Sequence, residues 1–369
     1  MFIKELILTN FKNYSSQNFS FVDGLNFLVG NNGAGKTNVL DAVHVLCFTK
    51  SHFNHVDSDL IRYGNDFFRV EAMYSNGESD RQVSVSLLKG KKKNIVLDGK
   101  SYKKFSDHIG VLPCVMIAPG DQVIITGGSE ERRKLFDSTL SQSDKSYLLA
   151  LLSYNEVLEQ RNAFLKQSSK KPQEIDMALL SIYDEGLVSY GEQLFEKRKH
   201  AMLEIADLFQ FYYEKLAQKD EHVTIHYSSQ LIDQDLRTLL QQQLPKDLIL
   251  EYTSKGLHKD DLKILIDNNA AKKFASQGQQ KSFLMAIKLA LLIYISRRNN
   301  TKPIFLIDDL FDKLDFERCK NLIEIIQEKE FGQIFLTDTD MERIKKLFAH
   351  SVKKARIYLV DENEAELMH

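Results

Sequence analysis

The spacing of apolar residues divides the chain into strand-forming and helix-forming regions. In the first third, short or alternating apolar runs predict strands over residues 2–8, 17–21, 25–29, 67–73, 81–88, 94–97 and 115–117. Asp23-Gly24 predicts a hairpin turn between the second and third of these strands. Further turns are predicted at Asn76-Gly77, Gly90 and Asp98-Gly99. A β-rich layer is therefore expected in this part of the chain.

The middle of the chain has helical spacing instead. Apolar residues recur at intervals of three and four over residues 129–166 and again over about 175–216. The polar link 167–173, which contains Pro172, separates these stretches and predicts an antiparallel hairpin or a small helical lobe. A polar-faced helix is predicted over 230–243.

Strands and helices alternate in the last third. An apolar helix is predicted over 281–296, and buried strands over 304–307, 333–336 and 357–360. This alternation predicts an α/β layer whose ligand-binding edge is formed by the carboxyl ends of its strands.

Residues 30–37 read G-N-N-G-A-G-K-T and fit the P-loop pattern G-x-x-x-x-G-K-[ST]. The loop lies between a predicted strand and a predicted helix, which is the required context. Glycines let backbone N–H groups approach a phosphate, lysine reaches the β- and γ-phosphates, and the hydroxyl after it holds Mg²⁺. The predicted nucleotide-binding residues are Gly30, Asn31, Asn32, Gly33, Ala34, Gly35, Lys36 and Thr37. A chance glycine-rich turn is the alternative.

Two carboxylates, Asp308 and Asp309, follow the buried strand 304–307. Asp308 is placed to bind Mg²⁺ and Asp309 to orient the attacking water. Taken alone, such a pair could equally cap the next loop, and the P-loop favours the nucleotide interpretation.

Residues 276–280 read S-Q-G-Q-Q and open the apolar helix. A polar, glycine-containing helix start can bind an anion, although Ser276 could simply cap the helix. Two such helix starts in one chain suggest that a second copy closes over the nucleotide of the first, so that dimerisation depends on ATP.

Composition narrows the class of protein. The chain has 369 residues, 43% hydrophobic content and a formal net charge of −2, so it can bury large cores and is not uniformly basic. Cys47, Cys114 and Cys319 form no C-x-x-C pair and suggest reduced, buried thiols of a cytoplasmic protein. The N-terminus does not resemble a secretion signal, and the apolar helix is too short to cross a bilayer.

The P-loop, S-Q-G-Q-Q, I-D-D and L-D motifs together resemble those of the SMC/ABC-type ATPases. Further blocks are similar to the RecF family of bacterial recombination proteins and occur in that family's order, at residues 8–14, 30–38, 60–64, 128–137, 154, 160–162 and 275–280. The resemblance implies an α/β, ABC-type P-loop ATPase head with a β-rich subdomain and an inserted helical lobe. The expected division is 1–120 and 246–369 for the head, and 121–245 for the lobe.

The same resemblance implies roles for residues outside the P-loop. Ser276, Gln277, Gly278 and Gln279 would form the signature that meets the γ-phosphate of a partner copy. Asp315 would lie in the loop that couples the two sites, and Thr337 would sense the γ-phosphate. Lys12 would contact the nucleotide from the N-terminal sheet.

The function implied by the resemblance is ATP-dependent DNA binding in recombinational gap repair and replication restart. Such a protein dimerises on ATP and Mg²⁺, binds duplex or gapped DNA, is a weak DNA-dependent ATPase, and acts with RecO and RecR to help load RecA. A transporter ATPase subunit would have a shorter interval between P-loop and signature. A chromosome-organising or nuclease-partner ATPase would need long coiled coils, and a small-molecule kinase would not need S-Q-G-Q-Q.

Candidate DNA contacts are basic clusters, each of which could also be an ordinary solvated surface. They are Lys89, Lys91, Lys92 and Lys93, then Lys103 and Lys104, Arg132 and Arg133, and Lys197, Arg198 and Lys199.

Two positions depart from the family's pattern. Leu257 stands where the family has proline, and Phe53 where it often has arginine. The family's pattern accounts for His258 and Asp260, which as two potential ligands do not make a metal site.

Overall fold

A computed structural model describes residues 1–368 except 76, 171, 219–220, 310–315, 349–353 and 362–363. The chain forms two compact units, the first made of residues 1–121, 212–219 and 277–369, and the second of residues 122–211 and 220–276.

The strands and helices agree closely with the periodicity of the sequence. The strands, in chain order, are β1 (Phe2–Phe11), β2 (Tyr14–Ser20), β3 (Leu25–Val29), β4 (Phe67–Ser75), β5 (Asp80–Leu88), β6 (Asn94–Leu97), β7 (Lys100–Ser101), β8 (Cys114–Ile117), β9 (Val223–Ser228), β10 (Asp261–Ile266), β11 (Asn269–Ala270), β12 (Ile304–Ile307), β13 (Ile334–Asp338), β14 (Ala355–Asp361) and β15 (Glu364–Leu367). The helices are α1 (Lys36–Phe48), α2 (Val123–Thr126), α3 (Ser129–Ser143), α4 (Lys145–Ser168), α5 (Met177–Ala217), α6 (Leu236–Leu250), α7 (Ala271–Phe274), α8 (Gln277–Asn299), α9 (Phe316–Ile326) and α10 (Met341–Phe348).

The first unit contains two six-stranded sheets. One is antiparallel, in the order β2-β1-β4-β5-β6-β7. The other has the order β15-β14-β3-β13-β12-β8 and is parallel from β14 to β8. Residues of β1, β4, α1 and β12 share one apolar core, in which Leu6, Val43, Phe68 and Leu306 are fully buried. The core thus fixes the helix after the P-loop against both sheets.

The predicted hairpin at Asp23-Gly24 is wrong, because β2 and β3 belong to different sheets. β2 pairs with β1, whereas β3 is buried along its whole length and runs parallel to β13 and β14. A short turn signal indicates a change of direction, but it does not determine which strands pair. At this turn an added Cβ on Gly24 would lie 2.2 Å from the carbonyl oxygen of Lys354.

The second unit is mainly helical. α4 and α5 run antiparallel, since Val157 packs against Gly186 while Arg161, further along α4, binds Asp184, which lies earlier on α5. β9, β10 and β11 form a small antiparallel sheet in the same unit.

Three details of the second unit differ from the sequence prediction. Residues 246–276, expected in the head, group with the helical unit because β10 pairs with β9 along its length. The helix expected at 230–243 begins at Leu236, where Asp235 accepts a hydrogen bond from the N–H of Thr238, and continues to Leu250. The first helical stretch is two helices, since Asp144 caps the second through Ser146 and Tyr147.

Candidate functional site

The P-loop joins β3 to α1, as the motif requires. Gly33 and Gly35 have φ angles of 83° and 108°, which favour glycine. At Gly30 an added Cβ would lie 2.0 Å from the carbonyl oxygen of Val360 on the neighbouring strand β14. Each of these glycines therefore stands where a side chain would strain the backbone or clash with it, and the loop can approach a phosphate closely.

The amino group of Lys36 lies inside this loop. It donates hydrogen bonds to the carbonyl oxygens of Gly30 at 2.7 Å and Asn31 at 2.8 Å. Burial lowers the pKa of Lys36, although the nearby carboxylates of Asp309 and Asp308 partly oppose this change. The ammonium group is thus held at the loop, where it can bind an anionic ligand.

A chain of hydrogen bonds connects α1 to the ends of β12 and β13. The hydroxyl of Thr37 lies 3.0 and 3.1 Å from the two carboxylate oxygens of Asp308, and the hydroxyl of Thr337 donates to Asp308 at 2.8 Å. Burial raises the pKa of Asp308, while the bonds from Thr337 and Thr37 oppose this rise. A hydroxyl and a carboxylate side by side form an oxygen donor set of the kind that Mg²⁺ prefers.

Asp309 follows at the same edge and is half-buried. Its φ of 53° is unusual for a residue with a side chain, and its backbone N–H donates to the hydroxyl of Thr337 at 2.8 Å. Thr337 therefore contacts both acidic residues at once. This arrangement brings together four of the predicted site residues, Lys36, Thr37, Asp308 and Thr337, with Asp309 beside them.

Two residues near the loop escaped sequence reasoning. The hydroxyl of Tyr14 donates to the carbonyl oxygen of Gly35 at 3.2 Å, and burial raises the pKa of Tyr14. Asp338 is 3% exposed at the end of β13, and its pKa is also raised by burial. Tyr14 ends the sequence block 8–14 and Asp338 follows Thr337 directly. The neighbouring motif residues could therefore have pointed to both of them.

Lys12 is bound within the protein itself. Its amino group forms an ion pair with Asp41 of α1 at 2.6 Å and lies 5.4 Å from the centre of the Phe53 ring. Asp41 also accepts hydrogen bonds from the hydroxyl of Ser51 at 2.7 Å and the N–H of His52 at 2.8 Å. Phe53 thus contributes a ring beside the Lys12 ammonium.

The signature residues lie at the start of α8. Ser276 and Gln277 are exposed, and Gln277 is the first residue of the helix. An added Cβ on Gly278 would lie 2.8 Å from Nη1 of Arg318, so glycine allows this close approach. Gln279 lies in the first turn of the same helix. Asp315, the predicted coupling residue, lies outside the described residues.

The second unit contains an ion network that overturns two of the predicted DNA contacts. Arg198 is 3% exposed and binds Asp260 and Asp137, both at 2.8 Å. Arg132 binds both carboxylate oxygens of Asp261, at 2.7 and 3.1 Å. Arg198 and Arg132 were expected at the surface because a run of basic residues carries no information on burial. Their guanidinium groups instead stabilise the packing of the helices and β10.

Other basic residues among the predicted DNA contacts also form hydrogen bonds or ion pairs within the chain. Arg133 donates to the carbonyl oxygen of Asp260 at 2.7 Å, and Lys197 forms an ion pair with Asp144. Lys93 forms an ion pair with Asp57 at 2.6 Å. Candidates that remain exposed are Lys89, Lys91 and Lys92 at the β5–β6 turn, together with Lys103, Lys104 and Lys199.

His258 and Asp260 take part in structural contacts. The imidazole of His258 lies 3.2 Å from the hydroxyl of Tyr154 and 2.8 Å from the carbonyl oxygen of Thr253. Burial lowers the pKa of His258 to about 4. Among the described residues, no cluster of three or more His, Cys, Asp or Glu side chains could hold a metal ion.

Comparison with known proteins gives a consistent result. The model of the RecF/RecN/SMC N-terminal domain family matches residues 2–348. The DNA replication and repair protein RecF of Flavobacterium johnsoniae is 43% identical, covering 97% of this chain and 99% of that protein. The RecF protein of Parabacteroides distasonis is 38% identical over the whole of both chains.

Solved structures show the same relationship. The recombination mediator protein RecF with ATP, from the RecFOR pathway, superposes with a TM-score of 0.88 and 26% identity, covering 100% of this chain and 98% of that one. An Smc head bound to the C-winged helix domain of ScpA shares the fold, with a TM-score of 0.59, 16% identity and coverage of 100% and 97%. In the part of the chain that the structure describes, no helix has the length and apolar content to span a membrane.

Proposed function

The chain belongs to the RecF/RecN/SMC N-terminal domain family, and from this membership we propose that it is an ATP-dependent DNA-binding protein of replication and recombinational repair. The observation that carries the proposal is the hydrogen-bonded group of Thr37, Asp308 and Thr337 beside the P-loop. This group supplies the polar side chains that a nucleoside triphosphate and its metal ion require.

The residues of the site have separate tasks in this proposal. The loop N–H groups and Lys36 bind the phosphates, while Thr37 and Asp308 hold Mg²⁺. When bound, Mg²⁺ neutralises part of the phosphate charge. Asp309 orients a water molecule and accepts its proton. Thr337 holds Asp308 and Asp309 in position through its two hydrogen bonds. Lys12, in the turn between β1 and β2, supports this site through its ion pair with Asp41 of α1.

The second half of the site comes from another copy of the chain in this proposal. The start of α8, where Ser276 just before the helix is exposed and Gly278 is half-buried, is suited to meet the γ-phosphate bound by a partner copy. ATP therefore drives dimerisation, and slow, DNA-dependent hydrolysis reverses it. Asp315 couples the two sites. The RecFOR pathway, named for a solved RecF structure, supports RecO and RecR as partners. In this proposal the protein acts in the cytoplasm, and loading of RecA is the outcome.

Analytical ultracentrifugation with ATP and gapped DNA tests this proposal directly. Lys36→Ala should abolish ATP binding and the ATP-driven dimer, because the loop loses its cation. Asp309→Asn should bind ATP and remain dimeric, since only the proton acceptor is removed. Lys50→Ala, which changes an exposed lysine beyond α1, is the matched control. A Lys36→Ala dimer as stable as that of the wild type would defeat the mechanism.

DNA binding is proposed for the exposed lysines of the β5–β6 turn. Reversing the charge of Lys89, Lys91 and Lys92 together should weaken DNA binding and lower the salt slope by about 0.9 for each phosphate that the turn no longer neutralises. Reversing Lys246 and Lys263, which are exposed in the second unit, is the control. Unchanged affinity and slope would remove the turn from the DNA surface.

A further inference from the structure

The hairpin of β1 and β2 ends in a tight turn beside the P-loop. Phe11 pairs with Tyr14, so the turn consists of Lys12 and Asn13. Lys12 has a φ of 51°, a left-handed value that glycine adopts more easily than lysine does. Its ammonium group forms the ion pair with Asp41 of α1 at 2.6 Å. The turn therefore has a lysine at a position suited to glycine, and the side chain of that lysine ties the hairpin to α1.

The side chain of Asn13 reaches the first turn of the same helix. Its oxygen, Oδ1, accepts a hydrogen bond from Nδ2 of Asn38 at 2.6 Å. Asn38 and Asp41 are three residues apart on α1 and therefore lie on the same face of the helix. Lys12 and Asn13 thus attach the hairpin to one face of α1, directly after the P-loop.

The same hairpin packs against Gly35, the last glycine of the loop. An added Cβ on Gly35 would lie 2.4 Å from Nδ2 of Asn13 and 2.9 Å from the hydroxyl of Tyr14. The hydroxyl of Tyr14 donates to the carbonyl oxygen of Gly35, and the N–H of Asn38 donates to the same oxygen at 3.0 Å. The hairpin therefore restrains both the Cα atom and the carbonyl group of Gly35.

A second segment holds the turn in place. The N–H of Lys12 donates to the carbonyl oxygen of Leu60, and the N–H of Arg62 donates to that of Asn10, both at 2.8 Å. Nε of Arg62 donates to the backbone carbonyl oxygen of Asn13 at 3.3 Å. The backbone on which the Asn13 side chain is mounted is therefore fixed independently of the P-loop.

The restraint on Gly35 matters for phosphate binding. A P-loop binds phosphate through several neighbouring backbone N–H groups, so a small displacement of its backbone weakens several hydrogen bonds together. Glycine has more conformational freedom than any other residue, and Gly35 must keep a φ of 108°. Contacts that hold this conformation before the nucleotide arrives lower the entropy cost of binding.

An asparagine in a hairpin turn often serves only the turn itself, because its side chain bonds to the local backbone. In this turn the left-handed residue is Lys12, and Oδ1 of Asn13 bonds to α1. These two observations favour a role for Asn13 at the loop over a role in forming the turn.

We propose that Asn13 is a positioning residue of the nucleotide site, an inference that rests on the proposed function. Asn13 holds Gly35 and Asn38 in the conformation in which the loop binds the phosphates of ATP. Because Asn13 contacts the loop and not Asp309 or Thr337, it acts on the affinity for ATP more than on the rate of hydrolysis. The antiparallel sheet thereby contributes to ATP binding through one side chain at its edge.

Titration of the full chain with a fluorescent ATP analogue tests this proposal. Asn13→Ala removes the bond to Asn38 and should raise the Kd about tenfold, as expected for the loss of one hydrogen bond. The single-turnover rate at saturating ATP should change by less than about threefold. Asn18→Ala, which changes an exposed asparagine of β2, is the matched control and should bind the analogue as the wild type does.

Asn13→Asp separates a role at the loop from a role in the fold. Aspartate has the same shape and still accepts the bond from Asn38, so a residue that served only the fold would tolerate this change better than alanine. At the loop its negative charge would lie beside the bound phosphates, so the Kd should rise about tenfold further than in Asn13→Ala. Added salt should restore part of this loss, and Asn18→Asp is the control with the same change of charge.

A double-mutant cycle tests the contact itself. Asn38→Ala should weaken ATP binding much less in the Asn13→Ala background than in the wild type, because the bond is already absent there. Fully additive effects on the Kd would contradict the proposal.

The remaining outcomes distinguish this inference from the proposed function. If the wild type binds ATP and both Asn13 variants bind it equally well, the positioning role is refuted and the proposed function stands. Tighter binding by Asn13→Asp than by Asn13→Ala would also refute it, since the residue would then serve only the bond to Asn38. Absence of ATP binding by the wild type would defeat the proposed function and the positioning role together.

Discussion

Replacing Thr337 by valine removes one hydroxyl and keeps the volume of the side chain. This hydroxyl donates to Asp308 at 2.8 Å and accepts from the N–H of Asp309 at 2.8 Å. Because Thr337 is only 1% exposed, water cannot readily replace either bond. The substitution therefore tests whether one hydroxyl organises both acidic residues.

The expected cost can be worked from these two bonds. A hydrogen bond to a carboxylate contributes about 1.5–3 kcal/mol, and a buried N–H left without a partner costs about 1 kcal/mol or more. The variant should therefore lose about 3 kcal/mol of unfolding free energy. At about 2–4 °C per kcal/mol for a unit of this size, the melting temperature should fall by roughly 6–12 °C. Misplacing Asp309 should slow ATP hydrolysis by up to about 100-fold.

The pH dependence gives a second check with a definite sign. Burial raises the pKa of Asp308 and the bond from Thr337 opposes this rise, so the variant should raise the pKa further. A raised carboxyl pKa destabilises the folded state above that pKa, where the group must ionise. The stability difference between variant and wild type should therefore be largest near neutral pH and shrink as the pH falls toward the pKa of Asp308.

Single-turnover ATP hydrolysis and thermal unfolding between pH 5 and 8 measure these effects. Thr337→Ser keeps the hydroxyl and is the control, which should retain most of the activity. A valine variant with wild-type turnover and an unchanged pH profile would refute the reasoning, because neither acidic residue would then depend on the hydroxyl.

Three further outcomes follow from other interactions. Gly30→Ala should abolish ATP binding, since its Cβ would lie 2.0 Å from a carbonyl oxygen, whereas Gly120→Ala, with nothing within 4 Å, should bind normally in a nucleotide titration. Arg161→Met should cost about 3–5 kcal/mol in denaturant unfolding, because it leaves Asp247 buried without its cation at 2.9 Å; a smaller effect than that of an exposed arginine variant would contradict this. His258 has a folded pKa of about 4, so the free energy of unfolding should fall by up to about 1.4 kcal/mol for each pH unit between pH 6.5 and 4. His258→Gln should flatten this fall, and an unchanged slope of stability against pH would exclude His258 as its source.

The local structure of the candidate nucleotide site could be predicted from the sequence because its determinants are local. A buried strand, a glycine-rich turn and a helix occur together at residues 25–48, and the structure confirms these elements. The Asp308-Asp309 pair likewise follows directly from its strand. The roles of Thr337 and Tyr14 depend on which strand ends and loops meet, so the contacts themselves required the three-dimensional fold.

The pairing of β2 and the ion network of the second unit could not be predicted in this way. Residues 17–21 have a strand pattern that fits pairing with either β1 or β3. Only the strand order of the folded sheets shows that β2 pairs with β1. Arg198 lies between two lysines in the sequence, yet its partners are 61 and 62 residues away, at Asp137 and Asp260. Charge pattern alone indicates a surface, whereas these long-range partners make burial of the guanidinium favourable.

A hydrogen bond in the second unit explains how the chain tolerates leucine at position 257, where the resemblance to the family implies proline. Leu257 is fully buried, and its N–H donates to the hydroxyl of Tyr154 at 3.1 Å, a bond that proline cannot make. A compatible proline stabilises a loop by about 0.4–1 kcal/mol through the unfolded chain, and a hydrogen bond contributes about 1 kcal/mol. The two effects are similar in size, so the loop before β10 keeps its conformation through Tyr154 instead of a fixed φ. The hydroxyl of Tyr154 also lies 3.2 Å from His258, so the leucine joins the group of residues that keeps this histidine buried.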